Sequence, residues 1–185
     1  MEKNGASVTE VTIPSVECCN DYYRQISAKE GAEVHRDWLE SKRSCEYGPH
    51  VLEILKRGME ISDQDYAQAQ EAQARVVGEF QATLREVDVL ITPTYPTVTY
   101  RIDDEAAEID GKVIPLSWIT GRMTMAANLA GIPALSLPMG FSKNPPVGLP
   151  LGLQLMGRPF EEELIYRTGY TYEQAYSWHQ NHPSL

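Results

Sequence analysis

The apolar period changes once along the chain, between Leu84 and Val87, and that change restricts the fold more than any other feature. Before it, Tyr66, Ala69, Val76, Phe80 and Leu84 recur at three-, four- and seven-residue spacing. One stripe of a helix is therefore buried, and the intervening Gln, Glu and Arg residues face water. Ser62 followed three residues later by Asp65 is a capping-box pattern that marks the start of this helix. After the change, residues 87–93 (VDVLITP) run as a short apolar strand ended by Pro93, of the kind covered on both faces in a parallel or mixed sheet. A long helix feeding such a strand implies an α/β fold, a mixed β-sheet flanked by helices.

The remaining segments supply further elements of both types. Residues 7–13 (SVTEVTI) alternate polar and β-branched side chains and stop at Pro14, as a strand does. Residues 16–42 carry apolar or aromatic side chains at Tyr22, Tyr23, Ile26, Ala32, Val34 and Leu39, the pattern of one helix or of two broken near Gly31. A short helix over residues 49–59 is expected to end at Gly58. Residues 95–116 read as a loop, with a tight turn at Asp110 and Gly111 between Ile109 and Val113. Residues 117–130 read as a helix of small, flexible side chains, stopped by Gly131 in the left-handed conformation with Pro133 just beyond. The strand ALSLP (134–138) follows, and a Gly/Pro-rich loop leads into a strand from Leu151 to Met156. Gln154 is strongly polar within that strand and, if buried, must be hydrogen-bonded. A last helix, roughly 161–178, directs Leu164, Ile165, Tyr172 and Ala175 inward. Residues 1–185 are expected to form a single domain, since two would both be small.

Composition excludes several classes of partner. A net charge of −10 disfavours nucleic acid and anionic membranes, which require a basic patch. No apolar run approaches the roughly 20 residues of a membrane span. The N-terminal residues MEKNGASVTEV lack the apolar stretch of a secretory signal. Cys18, Cys19 and Cys45 cannot make a fully paired disulfide framework and contain no C-x-x-C pair, which points to a reducing compartment, the cytoplasm. A Cys nucleophile with a His base is one catalytic alternative, but nothing ties His35, His50, His179 or His182 to a thiol. Asp103, Asp104, Glu105 and Glu108 lack the spacing of a calcium loop, so a solvated acidic loop is expected and no metal.

Three long motifs then occur in order: Asp88–Thr94 (DVLITPT), Asn128–Pro138 (NLAGIPALSLP) and Leu149–Phe160 (LPLGLQLMGRPF). Together with Tyr172-Glu173-Gln174 and Trp178-His179, and more weakly Gly5–Val8 and Val11–Pro14, the chain resembles the C-terminal part of amidase signature hydrolases. The resemblance implies a mixed sheet flanked by helices, no cofactor, and hydrolysis of an amide substrate through an acyl-enzyme. In that family a Ser is activated through a second Ser and a Lys, and backbone N–H groups of a Gly/Ser-rich loop hold the oxyanion. This sequence contains no Gly-Gly-Ser-Ser loop, and none of its six lysines stands in a comparable setting. The expectation is a C-terminal portion that completes the sheet and backs the substrate pocket. No catalytic residue is assigned, and the chain alone is expected to be inactive.

The resemblance also bears on substrate. Glutamine-dependent amidotransferase A subunits carry an Arg-bearing segment where this chain has Glu33–Leu39, and an Asp where it has Gly121. Loss of both ionic partners favours a general amidase on another amide, with a glutamine amidotransferase fragment as the alternative. Gly121, Arg122 and Met125 are the candidate substrate-binding residues. Arg122 offers a planar fork of donors to a carboxylate, although a surface or ion-paired Arg is the plainer reading. Asn128 is read as a loop cap or a ligand contact. A non-catalytic interaction module or a degenerate amidase homologue are further alternatives. Strands whose neighbours lie outside these residues predict a homodimer, through the strands themselves or through residues 117–130.

Overall fold

A computed structural model describes residue 2 and residues 5–109, 111–119, 121–143 and 147–182. The chain forms α1 (Cys19–Val34), α2 (Arg36–Leu39), α3 (Pro49–Glu60) and α4 (Asp63–Glu86). These are followed by β1 (Leu90–Pro93), the hairpin of β2 (Ala106–Ile109) and β3 (Lys112–Pro115), α5 (Leu116–Ile119) and α6 (Met125–Ala130). The last elements are β4 (Ala134–Phe141), β5 (Pro150–Met156) and α7 (Glu162–Ala175).

α4 organises the helical layer. Ser62 Oγ accepts from the Asp65 backbone N–H at 3.1 Å, so the expected cap forms. The expected stripe is buried through Ala69, Val76, Phe80 and Leu84, with Ala72 added and Tyr66 at its margin. Arg158, which follows β5, closes the other end of the helix. Its Nε donates to Leu84 O at 2.7 Å and its Nη2 to Val87 O at 3.1 Å, while Glu161 holds Nη1 at 2.9 Å. A cation thus satisfies carbonyls that the helix end leaves unpaired.

α1 breaks at His35 rather than at Gly31. Gly31 stays helical because α3 packs on it; a Cβ there would lie 3.3 Å from Leu55 Cδ2. Val34, one of the apolar positions of the pattern, is exposed at the end of the helix. α3 likewise runs through Gly58 to Glu60, because that glycine serves a helix crossing and not a stop.

The three-stranded sheet has the order β1-β5-β4, and both of its pairings are antiparallel. Among the described residues β1 is an edge strand. α7 packs over β4 and β5, so Ile91 is left 42% exposed and β1 is not covered on both faces. Residues 7–13 form no strand, since no described residue pairs with them and an isolated strand leaves its N–H and C=O groups without partners. They lead instead into a 3₁₀ turn at Pro14–Cys18. The loop expected over residues 95–116 contains the β2–β3 hairpin, with Gly111 at φ 73° in its turn; Asp110 lies outside the described residues. In α7, Gly169 takes an inward place, pressed against Leu135 and Leu137, while Ala175 is exposed at the helix end.

The helix expected over residues 117–130 is divided into α5 and α6 by a turn at residues 121–124, with Thr120 outside the described residues. Its predicted stop is present: Gly131 has φ 65° and ψ 36°. A Cβ on Gly131 would meet nothing within 4 Å, so substitution tests backbone conformation alone. Gly131→Val is expected to cost about 1–2 kcal/mol because a β-branched residue resists positive φ. Gly131→Asn, which tolerates that region, should cost less; equal melting temperatures for the Val variant and the parent would remove the argument.

Candidate functional site

Alternation along the strands gives the sheet two unlike faces. Ile91, Leu153, Leu155, Leu135 and Leu137 share the face toward α7. On the opposite face Leu90 and Met156 join the helical core at one end. Further along that face the register aligns Thr92, Gln154 and Ser136, followed by Thr94 and Gly152. The face therefore changes from apolar to polar along its length.

Gly152 makes the polar part possible. A Cβ there would come within 2.8 Å of Thr94 Oγ1, and in its absence the Thr94 and Ser136 hydroxyls meet at 2.7 Å. Gln154 is 3% exposed, and its amide is hydrogen-bonded as burial requires. Nε2 donates to Thr92 Oγ1 at 3.1 Å and to Met123 O at 3.0 Å. Because Met123 belongs to the turn before α6, one buried amide joins the sheet to the segment that carries the candidate substrate-binding residues.

Two of those three residues meet, and the third is set apart. Gly121 is buried against Met125, whose Cε lies 2.1 Å and Sδ 2.7 Å from where a Cβ on Gly121 would stand. An aspartate at this place would have to displace the Met125 side chain. Arg122 points elsewhere, into a cleft of about 120 Å³ with Glu17, Asn20, Asp21 and Trp118. Asn128 is exposed and lines a second, larger cleft. Thr92, Thr94 and Ser136 were not anticipated, although T-x-T at the end of β1 and just beyond it, and L-S-L in β4, place polar side chains at the spacing of a single sheet face.

The thiols are arranged structurally. Cys18 and Cys19 both donate to Ser15 O, at 3.1 and 3.4 Å, and Cys45 donates to Lys42 O at 3.1 Å. Burial, together with the neighbouring Cys18 and Glu79, pushes the Cys19 thiol up to about 12, which opposes thiolate formation. His35 contacts Tyr47 and His179 contacts Glu173, so these two imidazoles are engaged away from the thiols. Among the described residues no group of His, Cys, Asp and Glu is placed to hold a metal ion.

An α/β chain with a half-polar antiparallel sheet joined to a glycine-ended helix is the class that the geometry defines. The family model described as Amidase matches residues 1–166, and the chain belongs to that family. It is 41% identical over 124 residues to the glutamyl-tRNA(Gln) amidotransferase A subunit of Cyanothece sp. (strain PCC 7425 / ATCC 29141), an alignment covering 66% of this chain and 24% of that protein. It is 34% identical over 208 aligned residues to the chloroplastic/mitochondrial A subunit of Vitis vinifera, covering 100% of this chain and 37% of the relative. The chain thus spans well under half the length of these relatives. Among solved structures, an amidase superimposes with a TM-score of 0.80 at 27% identity, over 92% of this chain and 38% of that one. The glutamyl-tRNA(Gln) amidotransferase A subunit of Thermotoga maritima gives 0.70 at 27% identity, over 94% and 36%. The α/β architecture is that of the family. Among the described residues no helix is long and apolar enough to cross a membrane.

Proposed function

We propose that residues 1–185 act as one domain, the C-terminal part of an enzyme that hydrolyses a neutral amide. The domain backs the substrate pocket with the polar end of its sheet, and the Ser-Ser-Lys chemistry of the family comes from outside these residues. The observation that carries the reading is the junction of Gln154 with the 121–125 turn in a chain matched to the family over residues 1–166. Gly121 packed on Met125 supports a substrate without the charged α-amino acid backbone of glutamine. The names of the relatives favour a second reading, part of a glutamine-dependent amidotransferase.

The purified chain is expected to release no ammonia from benzamide or glutamine. Turnover surviving replacement of all three cysteines by Ala would show that the active site lies within these residues. To separate the two substrate readings, the chain is exchanged for the corresponding segment of the Thermotoga maritima amidotransferase. Preference for benzamide over glutamine is expected in a folded chimera; retained glutamine preference favours the second reading. The outer edges of β1 and β4, which no described strand pairs, support a homodimer, and the three free thiols support a cytoplasmic setting. A single species at 20.8 kDa in sedimentation would exclude the dimer.

A further inference from the structure

The larger cleft lies between α1, α4 and α6, is open to solvent and has a volume of about 410 Å³, within the range of roughly 300–1,000 Å³ common to small-molecule sites. The half-buried Tyr23 and the exposed Val34 supply the apolar surface of the cleft, over the buried side chains of Ile26 and Leu129. Among the described lining residues Glu30 supplies the single carboxylate, and there is no Lys or Arg. The Glu30 side chain is held in place, since Tyr66 donates its hydroxyl to Oε1 at 2.8 Å. That bond also holds the Tyr66 phenol above its ordinary range. The second carboxylate oxygen retains its accepting capacity. Glu30 forms no ion pair among the described residues. At the rim, His35 is fixed by the Tyr47 hydroxyl at 2.8 Å from its Nδ1.

From this arrangement we infer that the cleft is a binding site for a small organic monocation, an ammonium or amidinium group on an apolar body. The cation meets Glu30, and the apolar body packs on Tyr23 and Val34. The net charge of −10 favours approach of cations and disfavours anions of the same shape. This inference requires no hydrolysis, so it stands or falls separately from the amidase reading.

The test uses the purified chain and benzylammonium, with benzyl alcohol and benzoate as neutral and anionic counterparts, followed by heteronuclear NMR. Saturable shifts are expected at Ser27, Gly31, Gln73 and Asn128 with benzylammonium, weaker ones with benzyl alcohol and none with benzoate. Glu30 is exposed, so Glu30→Gln should weaken the cation by only about two- to five-fold and leave the alcohol unchanged. Asn128→Trp, which fills the cleft from an exposed position, should abolish binding of both. Equal binding of cation and alcohol, no response to Glu30→Gln, or no saturable shifts in the parent chain would each overturn the inference.

Discussion

Gly58→Ala is expected to destabilise the protein by about 2–3 kcal/mol, although Ala is the better helix former. A Cβ at Gly58 would lie 1.9 Å from Ala28 O, 2.5 Å from Ala28 C and 2.9 Å from Ala32 Cβ. Two of these atoms belong to the backbone of α1 and cannot rotate away. α1 and α3 would have to separate along a contact that also buries Leu55 and Ala32. At the size of this chain the loss corresponds to a fall in melting temperature of about 4–12 °C. Gly78, in α4, is the internal control: a Cβ there meets nothing within 4 Å, so Gly78→Ala should stabilise by up to about 1 kcal/mol. If both variants shift the melting temperature in the same direction, the close crossing of α1 and α3 is not what Gly58 serves.

Gln154→Leu is the second large effect, with an expected loss of about 1–3 kcal/mol. Leucine fits a strand and is close to glutamine in volume, so the cost arises from the polar groups left behind. Met123 O loses its donor at 3.0 Å and Thr92 Oγ1 loses its donor at 3.1 Å. The turn at residues 121–124 is thereby released from the sheet, and amide exchange at Met123–Met125 should accelerate more than at Leu90 or Met156. A cycle with Thr92→Val separates hydrogen bonding from packing. In the parent, Thr92→Val should cost about 1 kcal/mol, whereas in the Gln154→Leu background it should cost little, since no polar pair remains to break. Strict additivity of the two substitutions would contradict the hydrogen-bond account.

The two amide-linked segments show why the site was only partly legible. Gln154 announced itself as a polar residue in an apolar strand that needed a partner, but its partner lies 31 residues away on a turn. The sequence presents residues 117–130 as one run of helix formers and small residues. In the folded chain that run bends at 121–124, which places Gly121 on Met125 and sends Arg122 to a different cleft. A candidate trio close together in sequence is thus divided by a turn that no residue in the run demands.

Local chemistry, by contrast, was decided within a few residues. The Ser62 cap, the buried stripe of α4, the period change before β1 and the left-handed stop at Gly131 each depend on neighbours three to seven residues apart, and each is present. The family was likewise legible, because its motifs are linear and ordered. Tertiary structure alone decided that Gly58 marks a helix crossing, while Gly78 faces open space. Among the described residues it also left 7–13 without a strand partner and β1 at an edge, and it set Glu30 in a cleft whose described lining includes no Lys or Arg. Periodicity tells which side of an element is buried, but the atoms that meet that side come from distant parts of the chain. Their identity depends on how the elements pack, and no local pattern encodes it.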